Sequence, residues 1–191
     1  MKRIVFGISG ASGTIYSKYM LKQLSLIEDL EIHLVISQGA RKVISNENDF
    51  GVNELISLAH KNYDPENFAV SIASGSFRHD GMIVCPCSMN TLGCISSGIT
   101  NNLLQRACDV SLKEGKTLIL VVRESPYNRI HLQNMLNITD AGGVIMPFMP
   151  AYYLKQEDFI AQISQFTGRI LWRMNIPNQL SKEWSNSLDK E

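Results

Sequence analysis

A chain of 191 residues, 45% hydrophobic and 19% charged, can bury one sizeable core and is too apolar for disorder. Lysine plus arginine equals aspartate plus glutamate at 18 each, so no net field draws it to nucleic acid or to an anionic membrane, and any basic site must be local. No run approaches the roughly 18 apolar residues that a membrane helix needs, and four cysteines (Cys85, Cys87, Cys94, Cys108) make no disulfide framework, which predicts reduced thiols and a cytoplasmic protein.

In chain order, the short apolar run Ile4-Val5-Phe6-Gly7-Ile8 breaks into Ser9-Gly10-Ala11-Ser12-Gly13, which suits a buried strand from Arg3 to Ser9 and not a signal peptide. Ile15, Tyr16, Tyr19, Met20 and Leu24 then share one face of a helix from Thr14 to about Leu26. Glu31 to Ser37 is the second strand, and Gly39 to about Asn46 a short helix. Residues 47 to 80 predict a surface excursion, with a helical pattern near Val52 to His60, a break at Pro65 and a Ser/Gly cluster at Ser74-Gly75-Ser76. Gly81 to Cys85 resumes the strand pattern and Pro86 to Asn90 turns. Thr91 to Gly115 is helical, with an interruption near Gly98 to Asn101. Thr117 to Val122 is a strand, His131 to Asp140 a helix, Val144 to Met146 a short strand and Lys155 to Met174 the last long helix. Parallel strands need crossover connections, so this alternation predicts an α/β fold: a Rossmann-like or flavodoxin-like three-layer sandwich with a mostly parallel sheet. Residues 1 to 191 read as one domain with a C-terminal tail from about 177.

Ligands of such sheets sit beyond the carboxyl ends of the strands. The first strand-end loop, Gly7 to Gly13, permits close backbone approach and ends on a helix N-terminus that offers free N–H groups to an anion. Ser12 there serves either as a helix cap or as a ligand contact, and Ser37 in the second loop has the same two readings. In the third loop, Cys85 to Thr91, the side chains of Ser88, Asn90 and Thr91 supply donors and acceptors for a phosphate, ribityl hydroxyls or a ring edge. Its C-x-C pair lacks a second Cys or His pair in range, which argues against zinc and for packed thiols. In the fourth loop, Arg123 can grip a phosphate and Glu124 can move a proton; Arg106 and Lys113 on the preceding helix add charge.

Taken in order, GISGASG, the CPCSMNTL run, NNLLQRACDVSLKE, VRESP with IHLQNML, and GGVIMPFMPAYY resemble the UbiX-like flavin prenyltransferase family over nearly the whole chain. The resemblance implies FMN contacts at Gly10, Ala11, Ser12, Ser37, Ser88, Met89, Asn90, Thr91 and Arg123. It implies a prenyl-phosphate site at Tyr153 and Arg169, completed by Arg106, Lys113 and Glu124. It places the carboxylate of Glu47 near the flavin and Trp184 at the prenyl pocket, and it assigns catalytic work to Ser12, Glu47, Lys113, Glu124 and Trp184. Without it, Tyr153 reads as a packing residue and Arg169 and Glu47 as solvated charges.

The implied reaction joins the dimethylallyl group of dimethylallyl monophosphate to N5 and C6 of reduced FMN. It needs no metal and gives prenylated FMN for a UbiD-like decarboxylase. The implied assembly is a homo-oligomer, up to a dodecamer. Two alternatives come from other classes. A cysteine-type FMN-dependent decarboxylase would carry a Pro-Ala-Ser-Ala-Asn-Thr type loop and an early histidine, whereas His33 falls inside the second strand. A noncatalytic flavin carrier or decarboxylase subunit would bind FMN and form no new flavin species.

Overall fold

Six strands pair side by side, all in parallel, in the order β3-β2-β1-β4-β5-β6. They are β1 (Lys2–Ile8), β2 (Leu30–Ile36), β3 (Lys61–Tyr63), β4 (Gly81–Cys87), β5 (Thr117–Val122) and β6 (Val144–Ile145). This computed structural model describes residues 1–154 and 158–182. The chain starts in the middle of the sheet, winds out through β2 and β3, then returns to the other side of β1 through β4. That is the order of doubly wound dinucleotide-binding folds, and it places the topological switch point between β1 and β4.

Alternation within each strand builds the two cores. Ile4, Phe6 and Ile8 of β1 and Ile83 and Cys85 of β4 face α1 (Thr14–Ser25), α2 (Gln38–Glu47) and α7 (Phe159–Arg173), where Met20, Leu24, Ile44, Phe166 and Ile170 meet them. Val5, Met82 and Val84 face the opposite layer. That layer is α4 (Met89–Ser96), α5 (Leu103–Lys113) and α6 (Arg129–Asp140), with Leu92, Leu103, Ala107 and Ile138 turned inward. Burial on both faces is why the strands read as nearly unbroken apolar runs. Among the described residues no helix is long and apolar enough to cross a membrane.

Differences from the sequence reading follow from local chemistry. The expected turn at Pro86 to Asn90 is shorter: β4 continues to Cys87, and α4 opens at Met89 because the Ser88 hydroxyl accepts the Thr91 N–H at 3.2 Å. A register shift between Val84 and Cys87 turns Cys87 into the second core. Within the expected excursion lies a three-residue edge strand, β3, too short to show a period, followed by a 3₁₀ turn at Ser71–Ala73. The α3 helix (Val52–Ser57) is correspondingly short. The last helix begins at Phe159, where the Asp158 carboxylate accepts from the Ala161 N–H at 2.8 Å.

Beyond α7 the chain folds back along it. Gln165 brackets Lys182, donating to its carbonyl at 3.2 Å and accepting its N–H at 2.9 Å, while Asn178 donates to the Gly168 carbonyl at 3.2 Å. Gly168 makes this crossing feasible, since a Cβ there would lie 2.5 Å from the Ser181 nitrogen. Replacing Gly168 with Ala is therefore expected to push the tail off α7 at an overpacking cost of roughly 1–3 kcal/mol. Hydrogen exchange at the Lys182 amide should accelerate and the melting temperature fall; an unchanged amide would show that the tail does not rest on Gly168.

Candidate functional site

At the switch point the ends of β1 and β4 part, and Ser9 spans the gap. Its hydroxyl is fully buried, donates to the Pro86 carbonyl at 2.9 Å and accepts the Ser88 N–H at 2.8 Å, while its own N–H reaches Pro86 at 3.2 Å. Two neighbouring backbone bonds continue the rim, from Ser37 N–H to the Ile8 carbonyl and from Arg123 N–H to the Cys87 carbonyl, both at 3.0 Å. The strand-end loops of β1, β2, β4 and β5 thus form one hydrogen-bonded edge, on which Gly10, Ala11, Ser12, Ser37, Ser88, Met89, Asn90, Thr91 and Arg123 all sit.

Three helix N-termini meet this edge. Ser37 and Ser88 each cap their own helix, α2 and α4, through the Ala40 and Thr91 N–H groups, so the capping reading of Ser37 holds in this structure. No side chain caps α1, whose N-cap Gly13 adopts φ +93°, a left-handed conformation that favours glycine. The first turn of α1, partly buried, is therefore the one without a side-chain cap to compete with an anion. Gly10 approaches Gly39 so closely that a Cβ at Gly10 would fall 3.0 Å from the Gly39 carbonyl carbon.

Glu47, at the end of α2, returns to this loop and accepts the Gly13 N–H at 3.0 Å. Asn48 holds the junction, donating to Thr14 Oγ1 at 2.7 Å and to the Ile44 carbonyl at 3.3 Å. Ser12 and Glu47 line a cavity of about 750 Å³, in which Lys18 pairs with Glu54 at 2.7 Å and stands over the Phe50 ring at 4.5 Å. A second cavity, about 210 Å³, is walled by Tyr16, Pro86, Arg123, Glu124, Tyr127 and Phe148. Tyr16 and Phe148 belong to an aromatic cluster, with ring centroids 4.9 Å apart and Phe166 5.2 Å from Phe148. The Arg123 side chain is exposed and makes no ion pair among the described residues, while the Glu124 carboxylate accepts the Ser125 N–H at 2.9 Å. Burial pushes the Cys85 thiol up to about 12 and the Cys87 thiol higher still, so both are packed neutral groups.

Other expected site residues lie apart within the chain. Arg106 donates to the Ala73 carbonyl at 3.2 Å and to Asp109 at 2.6 Å, and Lys113 pairs with Glu114; neither meets Arg123 or Glu124. Tyr153 is half exposed in a 3₁₀ turn (Tyr152–Leu154), and Arg169 is exposed on α7. Trp184 lies outside the described residues. Ser9, Tyr16, Asn48 and Phe148 were not singled out by the sequence reading. A buried serine at a strand end is the only signal that could have marked Ser9.

The donor set fits a phosphorylated, polyhydroxylated ring ligand such as FMN. Open helix N–H groups and Arg123 suit a phosphate, the hydroxyls and amides of residues 88–91 suit ribityl oxygens, and Tyr16 and Phe148 offer an apolar wall. No group of three or more His, Cys, Asp or Glu side chains that could hold a metal occurs among the described residues. The fold and the site define a flavin-binding protein, and the Flavoprotein family model matches residues 1–168. The chain is 42% identical over 189 residues to the flavin prenyltransferase UbiX of Escherichia coli strain K12, covering 98% of this chain and 100% of that one. Two crystal structures superpose closely. One is a dodecameric FMN-dependent UbiX-like decarboxylase from E. coli O157:H7 (TM-score 0.91, 37% identity, covering 96% of this chain and 100% of that one). The other is AnUbiX in complex with FMN and dimethylallyl pyrophosphate (TM-score 0.89, 39% identity, covering 97% and 98%). The chain belongs to the UbiX-like flavin prenyltransferase family.

Replacing Ser9 with Ala strands the part-buried Ser88 N–H, removes a bond from the buried Pro86 carbonyl and is expected to cost roughly 1–3 kcal/mol. The urea midpoint should fall and FMN affinity should drop with it; retention of both would show that the Ser9 hydroxyl does not hold the two loops.

Proposed function

We propose that this chain transfers the dimethylallyl group of dimethylallyl monophosphate to N5 and C6 of reduced FMN, releasing phosphate. What carries the reading is the full-length match to flavin prenyltransferases on a chain whose strand-end loops fit FMN. FMN lies along residues 10–12, 37, 88–91 and 123. The carbon–oxygen bond of the donor breaks with its electron pair leaving on phosphate, so the site must neutralise that charge as it develops. Arg123, Arg169, Lys113, Arg106 and Tyr153 serve this purpose, and the aromatic ring of Trp184, outside the described residues, is assigned to stabilising the allyl cation. Bonding to N5 displaces the N5 proton, and ring closure then breaks the remaining C=C, whose central carbon takes up a proton while C6 loses one; Glu47 or the departing phosphate relays these protons, and Ser12 and Glu124 supply the remaining hydrogen bonds. Cationic side chains in this role make a metal unnecessary. The product serves a UbiD-like decarboxylase in the cytoplasm, and residues 1–191 act as one flavoprotein unit with a tail from about 177.

A homo-oligomer fits the placement of the cations. Lys113 ends α5 beside the start of β5, and six residues at about 3.3 Å each put the Arg123 loop roughly 20 Å away. A lysine of one chain cannot span that distance, so Lys113 acts on the donor from a second copy. The dodecameric relative supports this reading.

Purified protein incubated anaerobically with reduced FMN and dimethylallyl phosphate should release flavin heavier by one five-carbon unit, read by mass spectrometry. The diphosphate should give little product. Unmodified FMN from a protein that binds it tightly would overturn the proposal in favour of a carrier.

Arg169→Ala and Tyr153→Phe should each raise KM for dimethylallyl phosphate at least tenfold, about 1.4 kcal/mol, with FMN affinity unchanged. Glu47→Gln should lower kcat by about 10²-fold or more, the usual range for removing an acid–base group, at an unchanged KM for the donor. Indifference of all three variants would remove these residues from the donor site.

A further inference from the structure

We propose a second binding site, at the opposite edge of the sheet from the flavin loops, for a small aromatic carboxylate. Its ring would lie on Trp172 and its carboxylate between Lys116 and Arg173. The site is a cavity of about 530 Å³ where the end of α5, the turn after α6 and the last turn of α7 surround the first residues of β5 and β6, with Leu112, Gly142 and Val144 among its walls. That volume falls within the roughly 300–1,000 Å³ typical of small-molecule pockets.

Charge gives the first argument. Lys116 and Arg173 are the only charged residues that line the cavity, and neither side chain makes an ion pair or hydrogen bond among the described residues. The acids within reach of Lys116 are already engaged. Asp80 accepts from Lys2 at 3.0 Å and from the Arg3 N–H at 2.8 Å, and Glu114 pairs with Lys113. In a chain of zero formal charge, two cations without a direct partner on one concave surface create a local positive field that an anion would complete.

Shape gives the second. Trp172 is 39% exposed on α7 and walls both this cavity and an adjoining one formed with Asn175, Ile176 and Pro177. An indole left open in a cavity that Leu112 and Val144 also line offers a flat apolar platform, and the guanidinium of Arg173, in the same lining, suits a carboxylate in two-point contact. A planar ring bearing an anionic group satisfies both features, whereas inorganic phosphate leaves the indole uncovered. Strand β5 keeps the site roughly 20 Å from Arg123, so its ligand does not compete with flavin.

Isothermal titration calorimetry of the FMN-saturated protein with 2-naphthoate tests this, since flavin already fills the other edge. Saturable binding is expected, without displacement of FMN, and the double variant Lys116→Ala/Arg173→Ala should bind at least tenfold more weakly. Trp172→Ala should weaken it similarly. The neutral analogue 2-naphthylmethanol should bind at least tenfold more weakly to the unaltered protein, a comparison independent of whether the variants fold. No saturable heat at millimolar naphthoate, equal affinity in the double variant, equal binding of the alcohol, or FMN release on titration would each overturn the proposal.

Discussion

The rim of strand-end loops depends on one buried hydroxyl. Where β1 and β4 part, their ladder ends and the backbone groups of Pro86 and Ser88 lose the partners a continuing strand would have supplied. Ser9 provides both, a donor for one and an acceptor for the other, across 77 and 79 positions of sequence. Leaving either group bare and buried would cost more than the bond contributes, so the separation of the glycine loop from the α4 N-terminus is fixed as a matter of satisfying the backbone. Ser17 repeats the device one residue earlier in β4, donating from α1 to the Cys85 carbonyl at 2.6 Å. A ligand gripping both loops at once needs that constancy, because positioning errors of about an ångström are expensive in a preorganised site.

Glu47 shows the same logic at the flank. Its carboxylate accepts the Gly13 N–H, while the neighbouring Asn48 amide ties the end of α2 to the start of α1. The carboxylate thus takes one of the N–H groups at the uncapped end of α1, where the helix dipole favours negative charge. A phosphate arriving there competes with Glu47 for the same partial positive charge. Glu47 and any anion bound there are therefore electrostatically linked through one helix terminus.

Much of this was legible in the sequence, and for definite reasons. Buried parallel strands write themselves as runs such as Thr117 to Val122, and glycine-rich strand ends announce their loops, so the layers and the strand-end loops that form the rim could be placed from pattern alone. Edge strand β3 could not, because three residues carry no period and its identity depends on pairing with β2. Ser9 was hidden because its role lies in a contact 79 residues away, invisible to any local window. Asn48 was hidden for the same reason, its partner Thr14 being 34 residues back. The grouping of Arg106 and Lys113 with Arg123 failed at the level of one chain: adjacency in sequence across a helix and a strand is not adjacency in space when the two run in opposite directions.

That opposition bears on how a donor site can be assembled. In a βαβ unit each helix returns the chain from the carboxyl ends of the strands to their amino ends, so a residue late in a helix is bound to sit far from the loops that hold the ligand. Lys113 is such a residue, and its neighbours Glu114 and Gly75 belong to the far side of the molecule. Arg106, two turns earlier and about 10 Å higher at 1.5 Å per residue, sits at mid-height with its guanidinium already shared between Asp109 and the Ala73 carbonyl. Bending α5 to bring these cations to Arg123 would expose Leu103, Ala107 and Val110, which are buried against the sheet. Docking a second copy with its helix flank against a strand-end loop would avoid that cost. The cations on α5 can serve a leaving phosphate only where one chain's helix meets another chain's loops.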